Sequence, residues 1–157
     1  MSGAGASILQ PNGSGIRVAI VAASWHEQVM AGLIAGATGA CTAAGAAASL
    51  IRVAGSFELP VVAKACALSE RFDAVVALGV VIRGGTPHFD FVCDAATSGL
   101  KQVALDHLIP VGFGLLTCDN EAQAIDRAGL PGSKEDKGAE ATWAAINTAI
   151  TLRDLSD

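Results

Sequence analysis

The stretch VIRGGTPHFD, residues 81–90, places a histidine three positions behind a glycine pair. Imidazole is the side chain best suited to passing protons near neutral pH. Gly84 and Gly85 free the backbone to approach a ligand closely, and a helix opening behind them would point its N–H groups at the same spot. A phosphate suits such a turn. No Lys-Ser or Lys-Thr pair follows the glycines, so this is not a nucleotide P-loop. The His88 imidazole at that place can move a proton in either direction. A turn histidine that merely satisfies a backbone group accounts for the spacing as well.

Three further places carry chemistry. GSFELP (55–60) sets Glu58 at the opening of a helix, where the dipole stabilises a carboxylate with or without a ligand. Capping explains Glu58. So does a second role, in which Glu58, Ser56 and nearby amides hold a polyhydroxylated group. Trp25 can stack on a flat heteroaromatic ring or plug the edge of a sheet. Arg127 stands at a helix end, where arginines are ordinarily solvated. Cys41, Cys66, Cys93 and Cys118 form no C-x-x-C pair, and no base is spaced beside any of them. Residues 1–15 lack the basic and apolar regions of a secretory signal. Free thiols in a reducing cytoplasm are expected.

These residues must be positioned by alternating elements. Apolar runs at 16–22, 48–53, 74–82 and 110–117 read as strands. Helical patterns occupy 24–45 with Ser24 as N-cap, 58–72 with Pro60 in the first turn, 91–108 and 120–129. Ser133 and Asp136 have capping-box spacing before a last long helix. Continuous apolar strands alternating with helices predict a parallel sheet covered on both faces, a three-layer α/β/α sandwich of four strands. In such a sheet ligands sit beyond the carboxyl ends of the strands. Trp25 and His26, GSFE, RGGTPH and TCDN all fall on that edge.

Composition narrows the classes. At 157 residues the chain is one domain by size, with a mobile Gly- and Ser-rich arm at 1–15 and the domain at 16–157. A net charge of −5 with only ten Lys and Arg argues against nucleic acid. Residues 29–51 carry no charge, yet they are Ala, Gly and Thr for the most part. They read as a buried helix and a strand, and no membrane span is expected.

With GSFELP, ALGVVIRGGTPHFDFVCDAATSGL, FGLLTCDNEAQAIDRAGL and SKEDKGAEA in this order, the chain resembles the lumazine synthase family from Ile16 onward. The resemblance implies a flavodoxin-like fold and the penultimate step of riboflavin biosynthesis. In that step 5-amino-6-(D-ribitylamino)uracil condenses with 3,4-dihydroxy-2-butanone 4-phosphate, with no metal or organic cofactor. Residue by residue, it implies that Trp25 stacks on the pyrimidine and that Ser56, Phe57 and Glu58 hold the ribityl chain and ring. The backbone of Val80, Val81 and Ile82 would read the uracil edge, with Gly85 and Thr86 on the phosphate side and His88 moving protons. Phe113 and Arg127 would come from a neighbouring subunit, Arg127 as phosphate ligand, with Lys137 near the same phosphate.

A homopentamer follows from the same resemblance, its N-terminal arm adding a strand to a neighbour's sheet. Some members build a sixty-subunit shell. The connection AGLPGSKEDKG, with its proline, is similar to that of members that stop at the pentamer. Riboflavin synthase is the implied protein partner. Two competing classes are a lumazine- or flavin-binding module without catalysis, against which the intact His88, Arg127 and Gly84–Gly85 count, and a mainly structural shell or carrier protein, for which the connection near Pro131 is the discriminating feature.

Overall fold

The computed structural model describes Gly5 and residues 10–157. Strands β1 (Arg17–Ala23), β2 (Ala47–Val53), β3 (Ala74–Ile82) and β4 (Val111–Cys118) form one parallel sheet in the order β2-β1-β3-β4. Helices α1 (Glu27–Ala44) and α5 (Lys137–Ser156) cover one face, and α2 (Leu59–Leu68) and α3 (His88–His107) the other. The short α4 (Glu121–Ile125) follows β4. This is the expected three-layer sandwich. The strand expected of the N-terminal arm lies outside the described residues, whereas Gly13 is fastened to the end of α1 by its N–H, 2.7 Å from the Ala44 carbonyl.

The apolar runs are continuous because successive side chains enter different cores. Val18, Ile20 and Ala22 pack under α1 and α5, while Ala19, Val21 and Ala23 pack under α2 and α3. Burying each valine or isoleucine stabilises the fold by about 1.5–3 kcal/mol. The edge strand β2 departs from the expectation, since Ala47 to Leu50 are exposed. Helices α3 and α5 lie over β3 and β4 and α2 over β1 and β3, and α1 reaches β2 only in part, which leaves most of that edge uncovered. The uncharged segment 29–51 divides into most of α1 and most of β2. No helix among the described residues is long and apolar enough to cross a membrane.

Several element ends differ from the sequence reading. Ser24 does not cap α1. Its hydroxyl donates to the Val53 carbonyl at 2.7 Å, tying β1 to β2, and His26 takes the N-cap position with a left-handed backbone. Helix α2 stops at Leu68, where Ser69 folds its hydroxyl back onto the Cys66 carbonyl. Helix α3 starts three residues early, at His88, because Pro87 can serve as its N-cap without needing an N–H. Asp136 alone caps α5, accepting from the Ala139 N–H at 2.9 Å, and the Ser133 hydroxyl instead bonds the Ile125 carbonyl at the end of α4. Helix α4 ends at Ile125 because the chain then turns back, and Ala128 bridges to Asp136.

Small residues set how closely the helices lie. A Cβ at Gly138 would overlap the Leu33 carbonyl oxygen of α1, and one at Gly32 would overlap the Ala128 carbonyl oxygen. Neither backbone atom can swing aside. Alanine is intrinsically the better helix former by about 1 kcal/mol. Gly138→Ala is nevertheless expected to destabilise by about 1–3 kcal/mol through overpacking, read as a lower urea midpoint. An unchanged or higher midpoint would mean that α1 and α5 are not held in contact.

Cys41, Cys66 and Cys118 belong to the cores, and Cys93 is half-buried. Burial pushes the Cys41 thiol up to about 11, and also raises Cys66, Cys93 and Cys118, the last two helped by Asp90 and Asp119 respectively. A raised thiol pKa leaves little thiolate at neutral pH. Native protein treated with a chromogenic disulfide reagent at pH 7.5 should therefore react slowly at all four positions, and fast only after unfolding. Rapid reaction of one equivalent in the native state would contradict this.

Candidate active site

From β1 the chain moves outward to β2 and then crosses back to β3, so the strand order reverses between β1 and β3. A reversal of this kind opens a crevice at the carboxyl ends of the strands. A cleft of about 360 Å³ occupies it, lined by Trp25 and His26 behind β1, Gly55, Ser56, Phe57 and Glu58 behind β2, Val80, Val81 and Ile82 on β3, and His88 and Val92 on α3. Eight residues singled out from the sequence for a ligand site thus meet in one place: Trp25, Ser56, Phe57, Glu58, Val80, Val81, Ile82 and His88.

The floor of the cleft is backbone. Pairing of β3 with β1 ends at Leu78, whereas pairing with β4 continues to Ile82. Residues 79–82 therefore have no strand on their β1 side, and Val80, Val81 and Ile82 border the cleft. Donors and acceptors in a strand edge alternate in one plane, and a planar heterocycle with its own donors and acceptors can complete them.

The walls are aromatic and polar. Trp25 is 67% exposed and Phe57 64%, so neither plugs the sheet edge, and both present ring surface to the cleft. Gly55 permits this crowding: a Cβ there would stand 3.2 Å from Glu58 Oε2 and 3.3 Å from Trp25 Nε1. Ser56 opens a single 3₁₀ turn (Ser56–Glu58) and nests against Gly79, where a Cβ would come within 2.6 Å of its Oγ.

Three polar side chains here have no protein partner among the described residues. The Ser56 hydroxyl is buried and unbonded. Glu58 takes the N-cap position of α2, as the capping explanation expects, but makes no side-chain capping bond, and its carboxylate has no hydrogen bond or ion pair. The His88 imidazole is likewise unpaired; only its main-chain N–H is engaged, 3.4 Å from Thr86 Oγ1. Buried polar groups in a native fold are normally satisfied, so the unbonded Ser56 hydroxyl is available to a ligand, with the half-buried Glu58 carboxylate and the exposed His88 imidazole open beside it. A hydroxyl, a carboxylate, an imidazole, an open strand edge and a stacking surface together suit a planar ring bearing a hydroxylated chain, with proton transfer at one side.

His26 also lines the cleft, in a left-handed backbone at φ 57° and ψ 66°. Such a conformation in a non-glycine residue costs of order 1–3 kcal/mol and collects at functional sites. The sequence reading places His26 on this edge without giving it a role; its adjacency to Trp25 was the available signal. Gly85 and Thr86 lie in the exposed turn ahead of α3 and outside the cleft lining. Cβ atoms at Gly84 and Gly85 would meet nothing within 4 Å, so open space is what this turn supplies.

Phe113 and Arg127 do not reach this cleft. Phe113 projects from β4 into a separate apolar groove of about 440 Å³ with Leu105, Leu108 and Leu152. Arg127 follows α4, donates from Nη1 to the Gln123 carbonyl at 2.8 Å and lies 3.8 Å from Glu135 Oε2. Lys137 stands 3.4 Å from the same Glu135 and 2.7 Å from Glu140. Burial works against its charge, but the two carboxylates hold the ammonium above its usual range.

A family model described as 6,7-dimethyl-8-ribityllumazine synthase matches residues 15–153. A protein of that name from Clavibacter michiganensis subsp. michiganensis is 61% identical, over 99% of this chain and 98% of its own. Another from Leifsonia xyli subsp. xyli is 62% identical over 99% of both. A third, from Nocardioides sp., is 63% identical over 99% of this chain and 97% of its own. The chain belongs to the 6,7-dimethyl-8-ribityllumazine synthase family.

Proposed function

We propose that this chain condenses 5-amino-6-(D-ribitylamino)uracil with 3,4-dihydroxy-2-butanone 4-phosphate to 6,7-dimethyl-8-ribityllumazine, the penultimate step of riboflavin biosynthesis. Membership of the family supports the reaction. The observation that carries the site is the set of unpaired groups around the open edge of β3.

The uracil lies on Trp25 with its polar edge along the backbone of Val80, Val81 and Ile82. Ser56, Phe57 and Glu58 hold the ribityl chain and the ring. The butanone phosphate enters from the turn at Gly85 and Thr86. The ring amine attacks the ketone, and loss of water gives a Schiff base. Elimination releases phosphate, and attack by the ribityl-bearing nitrogen on the remaining carbonyl closes the ring with loss of a second water. His88 stands where the turn and the cleft meet and carries protons to and from these intermediates. Most of the acceleration comes from holding two substrates together, for which effective molarities are large.

Phe113 and Arg127 complete the site from an adjacent chain, Arg127 as the cation for the phosphate and Phe113 as an aromatic wall. Their distance from the cleft of their own chain supports this division. The assembly is a homopentamer, with the uncovered edge of β2 available to a neighbour's N-terminal arm. The proline-bearing connection AGLPGSKEDKG favours the pentamer over a sixty-subunit shell. A cytoplasmic setting, with free thiols and riboflavin synthase taking the product, belongs to the same proposal.

In an assay following the fluorescent lumazine, His88→Ala should slow turnover by no more than about 10²–10³-fold, since general acid–base catalysis contributes in that range. Arg127→Ala should raise the KM for the phosphate substrate sharply. Activity unaffected by Arg127→Ala would remove the phosphate role, and complete loss in folded His88→Ala would make the imidazole indispensable. Light scattering should give about five chain masses; a particle of sixty chains would reject the pentamer.

A further inference from the structure

His88 begins α3 behind a turn that has little of its own to fix it. Gly84 and Gly85 contact nothing on their side-chain side, Pro87 offers no side-chain cap, and the bond from the His88 N–H to Thr86 Oγ1 is long at 3.4 Å. Arg83, at the other end of that turn, grips β4, the residue just past it and α3 at once. Its main-chain N–H extends the sheet to the Cys118 carbonyl at 2.9 Å. Its Nε donates to Asp119 Oδ1, just past β4, at 2.9 Å. Its hold on α3 is mainly through the Phe89 ring, whose centre lies 4.3 Å from the guanidinium, with only a long contact of 3.5 Å from Nη1 to Asp90 Oδ1. Phe89 and Asp90 are the two residues directly after His88.

We propose that Arg83 is a positioning residue for the condensation, bracing the first turn of α3 against β4 so that the His88 imidazole keeps its place over the cleft. The proposal rests on His88 as the proton-transfer group. Arg83 does not line the cleft. The planar fork suits this task, because one guanidinium can bond Asp119 in its plane while its face covers Phe89. Its ion pairs are exposed, with side-chain accessibilities of 46% for Arg83 and 64% for each aspartate, and exposed pairs add little to global stability. Removal should therefore move the imidazole without unfolding the chain. Misplacement by about 1 Å can cost as much as 10²-fold in rate.

The test is a double-mutant cycle on the intact assembly with Arg83→Gln, His88→Ala and both together. Arg83→Gln should lower kcat by roughly 10- to 10²-fold with the KM for the uracil nearly unchanged and the Tm close to wild type. In the His88→Ala background it should add no further loss. Asp119→Asn, which loosens the brace from the β4 side, should give part of the same kcat effect and covers the case in which Arg83→Gln does not fold. A kcat for Arg83→Gln within twofold of wild type, or losses that multiply in the double variant, would overturn the positioning role. If wild type makes no lumazine, or His88→Ala turns over at the wild-type rate, the reading of the site itself fails first.

Discussion

Strand β3 outruns β1, and the cleft is arranged around that overhang. Past Leu78 the β1 side of β3 has no strand to pair with, although β4 accompanies it to Ile82. Backbone donors and acceptors at a partly buried edge need partners, and a ligand with a matching polar edge provides them. Gly79, the first residue of the overhang, has no side chain, which lets Ser56 nest against the strand and brings the GSFE turn down over the cleft. Trp25 and Glu58 crowd around Gly55 for the same steric reason. One mismatch in strand length and two missing side chains thus shape most of the site.

The buried, unbonded Ser56 hydroxyl has an energetic cost, of order 1–3 kcal/mol. Two separate cores offset it. Both faces of β1 and β3 are packed, and the α1–α5 side is drawn close by glycines that admit no further atom. The closest packing lies between α1 and α5, and the open turn at Gly84 and Gly85 lies ahead of α3. Arg83 links sheet and helix across that turn, with its backbone in the sheet and its guanidinium on the first turn of the helix that bears His88.

The layers were legible because alternation of strands and helices follows from burial, and burial is written in apolar residue types. Trp25, Ser56, Glu58 and His88 were legible as a group because strand ends in a parallel sheet converge. Element ends were less so. Ser24 and Ser133 have the residue type of caps, yet each hydroxyl found a carbonyl on another element. Such tertiary competition is invisible to local pattern. The resemblance to the family, and no spacing rule, brought in Phe113 and Arg127, which lie apart from the cleft within one chain. The left-handed His26 and the brace at Arg83 depend on backbone geometry and cross-element contact that residue types do not encode.

The central claim is that one site is built from two chains. Its most direct test is coexpression of two differently tagged variants, Glu58→Gln with Arg127→Ala, each of low activity alone. If Glu58 and Arg127 act in the same site from different chains, mixed assemblies contain some sites with neither substitution, and purification through both tags should recover substantial lumazine synthesis. Mixed assemblies confirmed by native mass spectrometry, yet no more active than either variant alone, would place both residues in one chain's site and contradict the account.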